Sequence, residues 1–188
     1  MIERSKPSSE TNLTDDEKKT LHNIALTAIK KRLGNGSPSK PESNTNTLKE
    51  KRGAFVSLHK HGQLRGCIGY IHGHKPLAEA INDMAIAAAF EDPRFSPLKE
   101  SELADLDIEI SVLTPMKLIN DVSEIEVGKH GLMMIKGSYS GLLLPQVATQ
   151  YNWNRQTFLT ETCRKAGMST DAWKDNDTEI YIFSADIF

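Results

Sequence analysis

The residues with the greatest capacity for chemistry stand together in Leu64-Arg65-Gly66-Cys67-Ile68-Gly69: a permanent cation, one of the chain's two thiols, and two glycines. On a regular strand, alternate side chains share a face. Leu64 and Ile68 would then face a core with a gap at Gly66, and Arg65 and Cys67 would share the opposite face. A cation beside a thiol favours the thiolate, the nucleophilic form. A drop of about 1.5 units from the usual ~8.5 corresponds to ~2 kcal/mol and brings the thiolate to roughly half at pH 7. Glycines on both sides of Cys67 leave room for a ligand or another backbone. The same pattern also suits a buried structural cysteine in a tightly packed, bulged strand. Both readings stand on the sequence.

Other reactive groups are scattered more widely. His59 and His61 precede Cys67, and His72 and His74 follow it. Imidazole and thiolate suit zinc, but no second pair completes a zinc spacing, and solvated loop histidines are the better reading. No metal and no cofactor is expected. Glu91-Asp92-Pro93-Arg94-Phe95 forms a stiff loop able to make a polar cluster or a salt-bridged corner. Glu109 is a candidate partner for Arg65 or a general base. Gln146 follows Pro145 at a helix start, where its amide lies beside free N–H groups or simply caps them. Cys163 falls on the inner stripe of a helix and reads as structural.

These groups need a scaffold to position them. Thr14 to Glu17 reads as a capping box, followed by a helix through Leu21, Ala25 and Ile29 that Gly34 stops. Residues 1–13 read as a flexible N-terminus, and 34–50, rich in Gly, Pro, Ser and Asn, as a loop that is either a linker or a flap over a site. Ala54 to Lys60 alternates as a strand and turns at His61-Gly62 into a return strand carrying the hexapeptide. Pro76 opens a helix with a broad apolar stripe from Leu77 to Ala89. Leu106 to Leu113 alternates as a strand with one polar face. Alternation also appears at Ile125 to Val127 and at Leu132 to Ile135, the latter entering a hairpin through Gly137 to Gly141. Two helices and a strand from Glu179 to Phe183 complete the chain. Helices and hairpins without repeated βαβ units give an α+β class with a mainly antiparallel sheet.

Composition excludes several functions. The chain has 188 residues and a formal charge of −2, with pI near 6.3. It lacks the concentrated basic face that nucleic acid demands. Two cysteines suit neither a disulfide framework nor a conventional iron–sulfur site, which fits a reducing compartment. No secretory h-region or long apolar run is present, so a cytoplasmic protein without a membrane segment is expected.

Taken together, Gly53-Ala54-Phe55-Val56, the hexapeptide, Asp92 to Phe95, Glu109 to Leu113, Leu143 to Ala148, Trp153, Phe158-Leu159 and Cys163 to Gly167 resemble the AMMECR domain family. Its bacterial and archaeal members bear the name AmmeMemoRadiSam system protein A. The resemblance covers roughly residues 14–188 apart from 34–50. It implies one such domain, with a larger part, a smaller part beside it, and a groove between them near the hexapeptide. It transfers interest to Arg65, Gly66, Cys67, Gly69, Asp92, Arg94, Glu109, Pro145 and Gln146. It also implies association with Memo-like and radical S-adenosylmethionine proteins. On this basis the chain is an enzyme or enzyme subunit using Cys67, Arg65 and Glu109, or alternatively a non-catalytic adaptor.

Overall fold

The structure, a computed structural model, describes residues 11–34, 41 and 45–188. The chain divides into two compact units, residues 1–113 with 186–188, and residues 114–185.

The first unit begins with α1 (Asp15–Leu33), started as the sequence predicts. The Thr14 side chain accepts from the Glu17 N–H, and the Glu17 carboxylate accepts from the Thr14 N–H. A one-turn helix, α2 (Asn46–Lys49), stands where composition suggests loop, and Thr45 caps it. Residues 35–40 and 42–44 of the proposed linker or flap lie outside the described residues, as does most of the proposed flexible N-terminus. Thr11 is buried, with its hydroxyl bonded to Asp186 at 2.7 Å.

β1 (Ala54–Lys60) and β2 (Gln63–Tyr70) form the expected hairpin. His61 and Gly62 both have positive φ, 51° and 75°, the geometry a tight two-residue hairpin turn requires. α3 (Leu77–Phe90) and a short 3₁₀ turn (Glu100–Asp105) lead into β3 (Leu106–Leu113), which pairs antiparallel with β1. The chain end joins the far side of β3, where Phe188 and Ile110 exchange bonds of 2.8 and 3.1 Å. The strand order is therefore β2-β1-β3, with residues 186–188 beyond.

Alternation divides this sheet into two faces. Val56, Leu58, Ile110 and Val112 are fully buried and share a core with Leu21, Ala25 and Ile29 of α1 and Ile81, Ala85 and Ala88 of α3. The alanines of α3 let its backbone approach the sheet closely. The opposite face carries Phe55, Ser57, His59, Cys67, Glu109 and Ser111.

The second unit has its own core. β4 (Lys117–Ile119), β5 (His130–Lys136), β6 (Tyr139–Leu143) and β7 (Glu179–Ile187) are ordered β4-β7-β5-β6, all antiparallel. Leu132, Met134, Ile180 and Ile182 pack with Phe158, Leu159 and Cys163 of α5 (Arg155–Lys165), and Ala148 of α4 (Pro145–Gln150) joins them. Ile125 to Val127 is not a strand. Ile125 follows a 3₁₀ turn (Val122–Glu124) and is buried as a single core anchor, so its local alternation carries no sheet pairing.

Candidate functional site

Cys67 lies in the edge strand of the first unit, directly opposite Ser57. Its N–H donates to Asp92 Oδ2 at 2.9 Å, and its C=O accepts from Arg94 Nη2 at 3.2 Å. Both main-chain groups therefore point away from β1, which makes Ser57–Cys67 a non-hydrogen-bonded pair. Side chains approach most closely in such pairs. The Ser57 hydroxyl stands 3.2 Å from Cys67 Sγ and donates to it. Ser57 is in turn opposite Glu109 on β3. The row Cys67, Ser57, Glu109 thus crosses three strands on one face, thiol to hydroxyl to carboxylate. At the usual strand spacing, the Cα atoms of Cys67 and Glu109 are about 10 Å apart. Ser57, not Glu109, touches the sulfur.

The Asp92-Pro93-Arg94 loop holds Cys67 from outside the sheet. Asp92 is buried, and besides the Cys67 N–H it accepts from Arg94 N, Nε and Nη2 at 3.1, 2.9 and 2.7 Å. The Arg94 guanidinium holds the Asp92 carboxyl far below the usual carboxylate range against the opposing effect of burial, with help from the Cys67 N–H. Asp92 pushes Arg94 above its already high value in return. Acceptor and donor sit where a further strand would place its own backbone groups, so this loop caps the sheet edge at Cys67.

Arg65 departs from the expectation. The β1–β2 register shifts between Leu58 and His59: Leu58 faces Gly66 and His59 faces Leu64, leaving Arg65 as the extra residue of a bulge. Simple alternation fails there, and Leu64, expected inside, is 41% exposed. The Arg65 side chain is directed to Glu102, Nε to Oε1 at 3.0 Å and Nη2 to Oε2 at 3.1 Å. Lys60 Nζ at 3.3 Å and the Lys99 N–H at 3.1 Å complete that carboxylate's partners. Arg65, with Lys99 and Lys60, draws the Glu102 carboxyl down to about 2 against the effect of burial. Arg65 is therefore tied to Glu102 rather than to Glu109, and Arg94 is the guanidinium bonded to the Cys67 main chain.

The two glycines are filled by the protein itself. A Cβ on Gly66 would stand 2.1 Å from the Ala88 carbonyl oxygen of α3, so this residue admits the helix backbone. A Cβ on Gly69 would stand 2.3 Å from the Phe55 ring, which lies across that position. Of the two possibilities the sequence left for them, close approach of the protein's own atoms applies.

Pro145 and Gln146 belong to the second unit. Pro145 is the buried first residue of α4, and Gln146 is half-buried beside it. Cys163 is fully buried, 3.4 Å from Met134 Sδ, and burial pushes its thiol up. His61 reaches Asp105 at 3.7 Å from an exposed turn, and His74 meets the edge of Tyr70. Ser57 and Glu102 were not singled out from the sequence. Ser57 was identifiable only through register with Cys67, and Glu102 looks like any surface acid until the bulge turns Arg65 toward it.

An α+β fold with a thiol-bearing edge strand clamped by an Asp-Pro-Arg loop is the class that these features define. Residues 22–188 match the AMMECR1 family. A protein of Methanothermobacter thermautotrophicus is 45% identical over 183 residues, covering 94% of this chain and 95% of its own. Protein PH0010 of Pyrococcus horikoshii is 43% identical over 187 residues, covering 94% and 91%. The crystal structure of that protein, described as uncharacterized, matches with a TM-score of 0.87 at 41% identity, covering 93% of this chain and 92% of that one. The chain belongs to the AMMECR1 family. No helix among the described residues is long and apolar enough to cross a membrane.

Proposed function

We propose that this protein is an enzyme or enzyme subunit in which Cys67 is a nucleophile and the LRGCIG strand is the centre of the site. The observation that carries this reading is the Ser57 hydroxyl 3.2 Å from Cys67 Sγ on a strand fixed by Asp92 and Arg94. A donor aimed at sulfur stabilises the thiolate, and a clamped backbone keeps the sulfur in place for attack. In the proposed step the thiolate adds to an electrophilic carbonyl carbon: an S–C bond forms and the π electron pair moves onto oxygen. Glu109, paired across strands with Ser57, is the base proposed to take the thiol proton. Arg65 supports the strand through Glu102 and takes no direct part. Memo-like and radical S-adenosylmethionine proteins remain the proposed partners, on the strength of family membership alone.

A non-catalytic adaptor working by strand addition is less favoured, because the outward N–H and C=O of Cys67 already have partners. Alkylation of native protein by iodoacetamide, with Cys67 and Cys163 peptides resolved by mass spectrometry, tests the proposal. Labelling of Cys67 at pH 7 faster than N-acetylcysteine, and slowed severalfold in Glu109→Gln, is the expected result. Labelling of Cys67 only after denaturation would remove the nucleophile.

A further inference from the structure

The guanidinium of Arg94 has five N–H donors. Nε and one N–H of Nη2 go to Asp92, and the other N–H of Nη2 goes to the Cys67 carbonyl. Both donors on Nη1 lack a partner among the described residues. The ion pair is also lopsided: the Asp92 side chain is 1% exposed and that of Arg94 55%. It therefore presents its positive end to solvent and its negative end to the interior. The Phe95 ring, 5.4 Å from Arg94 Cζ, supports the guanidinium from one side. This contrasts with Arg65 and Glu102, whose side chains are 13% and 15% exposed and so turn neither charge outward. A thiolate at Cys67 is near enough to be among the charges that favour the Arg94 cation.

From this arrangement we infer that Arg94 Nη1 is an oxyanion-binding point beside Cys67, and that the ligand of the site carries a carboxylate or phosphate group. The inference rests on the nucleophile reading for what happens at sulfur, but the binding point stands on Arg94 alone. In this inferred arrangement the anionic group of the ligand meets Nη1 at the sheet edge, and the ligand's remaining atoms lie over the row Cys67, Ser57, Glu109. Its electrophilic carbon then falls near sulfur, and Glu109, at the far end, is kept away from the anionic group. Asp92, already saturated with donors, orients Arg94 and stays out of the ligand's reach.

Two measurements separate this inference from the proposed reaction. The first compares the rates of Cys67 alkylation by iodoacetate and iodoacetamide, in each of which an S–C bond forms and iodide leaves. Dividing their ratio by that of N-acetylcysteine amide, a thiol with no other charge, under the same conditions removes intrinsic thiol reactivity. A normalised preference of fivefold or more for iodoacetate, lost in Arg94→Gln and in 1 M salt, is the expected result. A normalised ratio of one or less, with the iodoacetamide reaction intact, overturns the anion point and leaves the nucleophile standing. The second titrates acetate and inorganic phosphate into the protein while following the Arg94 Nε–H and Cys67 amide resonances by NMR. Saturable shifts that vanish in Arg94→Gln support the inference even if Cys67 proves unreactive, and the stronger of the two anions identifies carboxylate or phosphate. No saturable shift with either overturns it.

Discussion

At the scale of single residues, the site is held by contacts that tolerate little change. Gly66 faces the Ala88 carbonyl across a gap with no room for a Cβ. Gly66→Ala must push α3 off the sheet, at a cost of about 1–3 kcal/mol typical of overpacking. Urea unfolding of the variant measures it directly. An unchanged midpoint would mean that helix and strand separate at no cost. Ser57→Ala removes one hydroxyl from beneath the sulfur. A bond worth about 1 kcal/mol corresponds to a roughly fivefold slower alkylation of Cys67 at pH 7. Equal rates in the two proteins would exclude any influence of that hydroxyl on the thiol.

At the scale of elements, the bulge in β2 is what separates Arg65 from Cys67 and delivers it to the 3₁₀ turn carrying Glu102. That pairing has a definite dependence on pH. Glu102 is lowered in the folded protein to about 2 from an ordinary 4.5, so the unfolded chain binds its proton first on acidification. The stabilisation is complete above about pH 5 and is lost as pH falls through about 2. Its ceiling is about 3 kcal/mol, set by the size of the shift. Glu102→Gln is therefore expected to be less stable than the parent by up to that amount at pH 7, with the gap closing toward pH 2. Denaturant titrations of both proteins across that range check the sign. A gap that widens in acid would contradict the linkage. Asp92, lowered by Arg94, adds stability lost in the same direction.

At the scale of the molecule, two hydrophobic cores stand behind the two units. One is built around α1, α3 and the β2-β1-β3 sheet, and the other around α5 and the β4-β7-β5-β6 sheet. Native-state hydrogen exchange is expected to protect a set of amides in each, centred on β1 and α3 in one and on β5 and α5 in the other. Protection confined to one set would mean that the second core does not hold its sheet closed. Phe158, fully buried in the second core, should cost about 3–5 kcal/mol as Phe158→Ala, read from thermal or urea unfolding.

Composition and periodicity alone determined much of this protein. The Thr14 capping box, the β1–β2 hairpin turning at His61-Gly62, the apolar stripe of α3 and the alternation of β3 all follow from local rules: side-chain period, cap chemistry and turn residues act within a few positions. The hexapeptide as a place to look was equally legible, since a thiol, a guanidinium and two glycines are conspicuous in six residues. Tertiary structure decided which atoms meet. One extra residue in β2 broke the period of two, exposed Leu64 and sent Arg65 to Glu102. Cross-strand register put Ser57, an unremarked serine, against the sulfur, and a distant loop brought Asp92 and Arg94 to the Cys67 backbone. A bulge and a register are set by the balance of packing over the whole sheet, and no window of the sequence contains that balance.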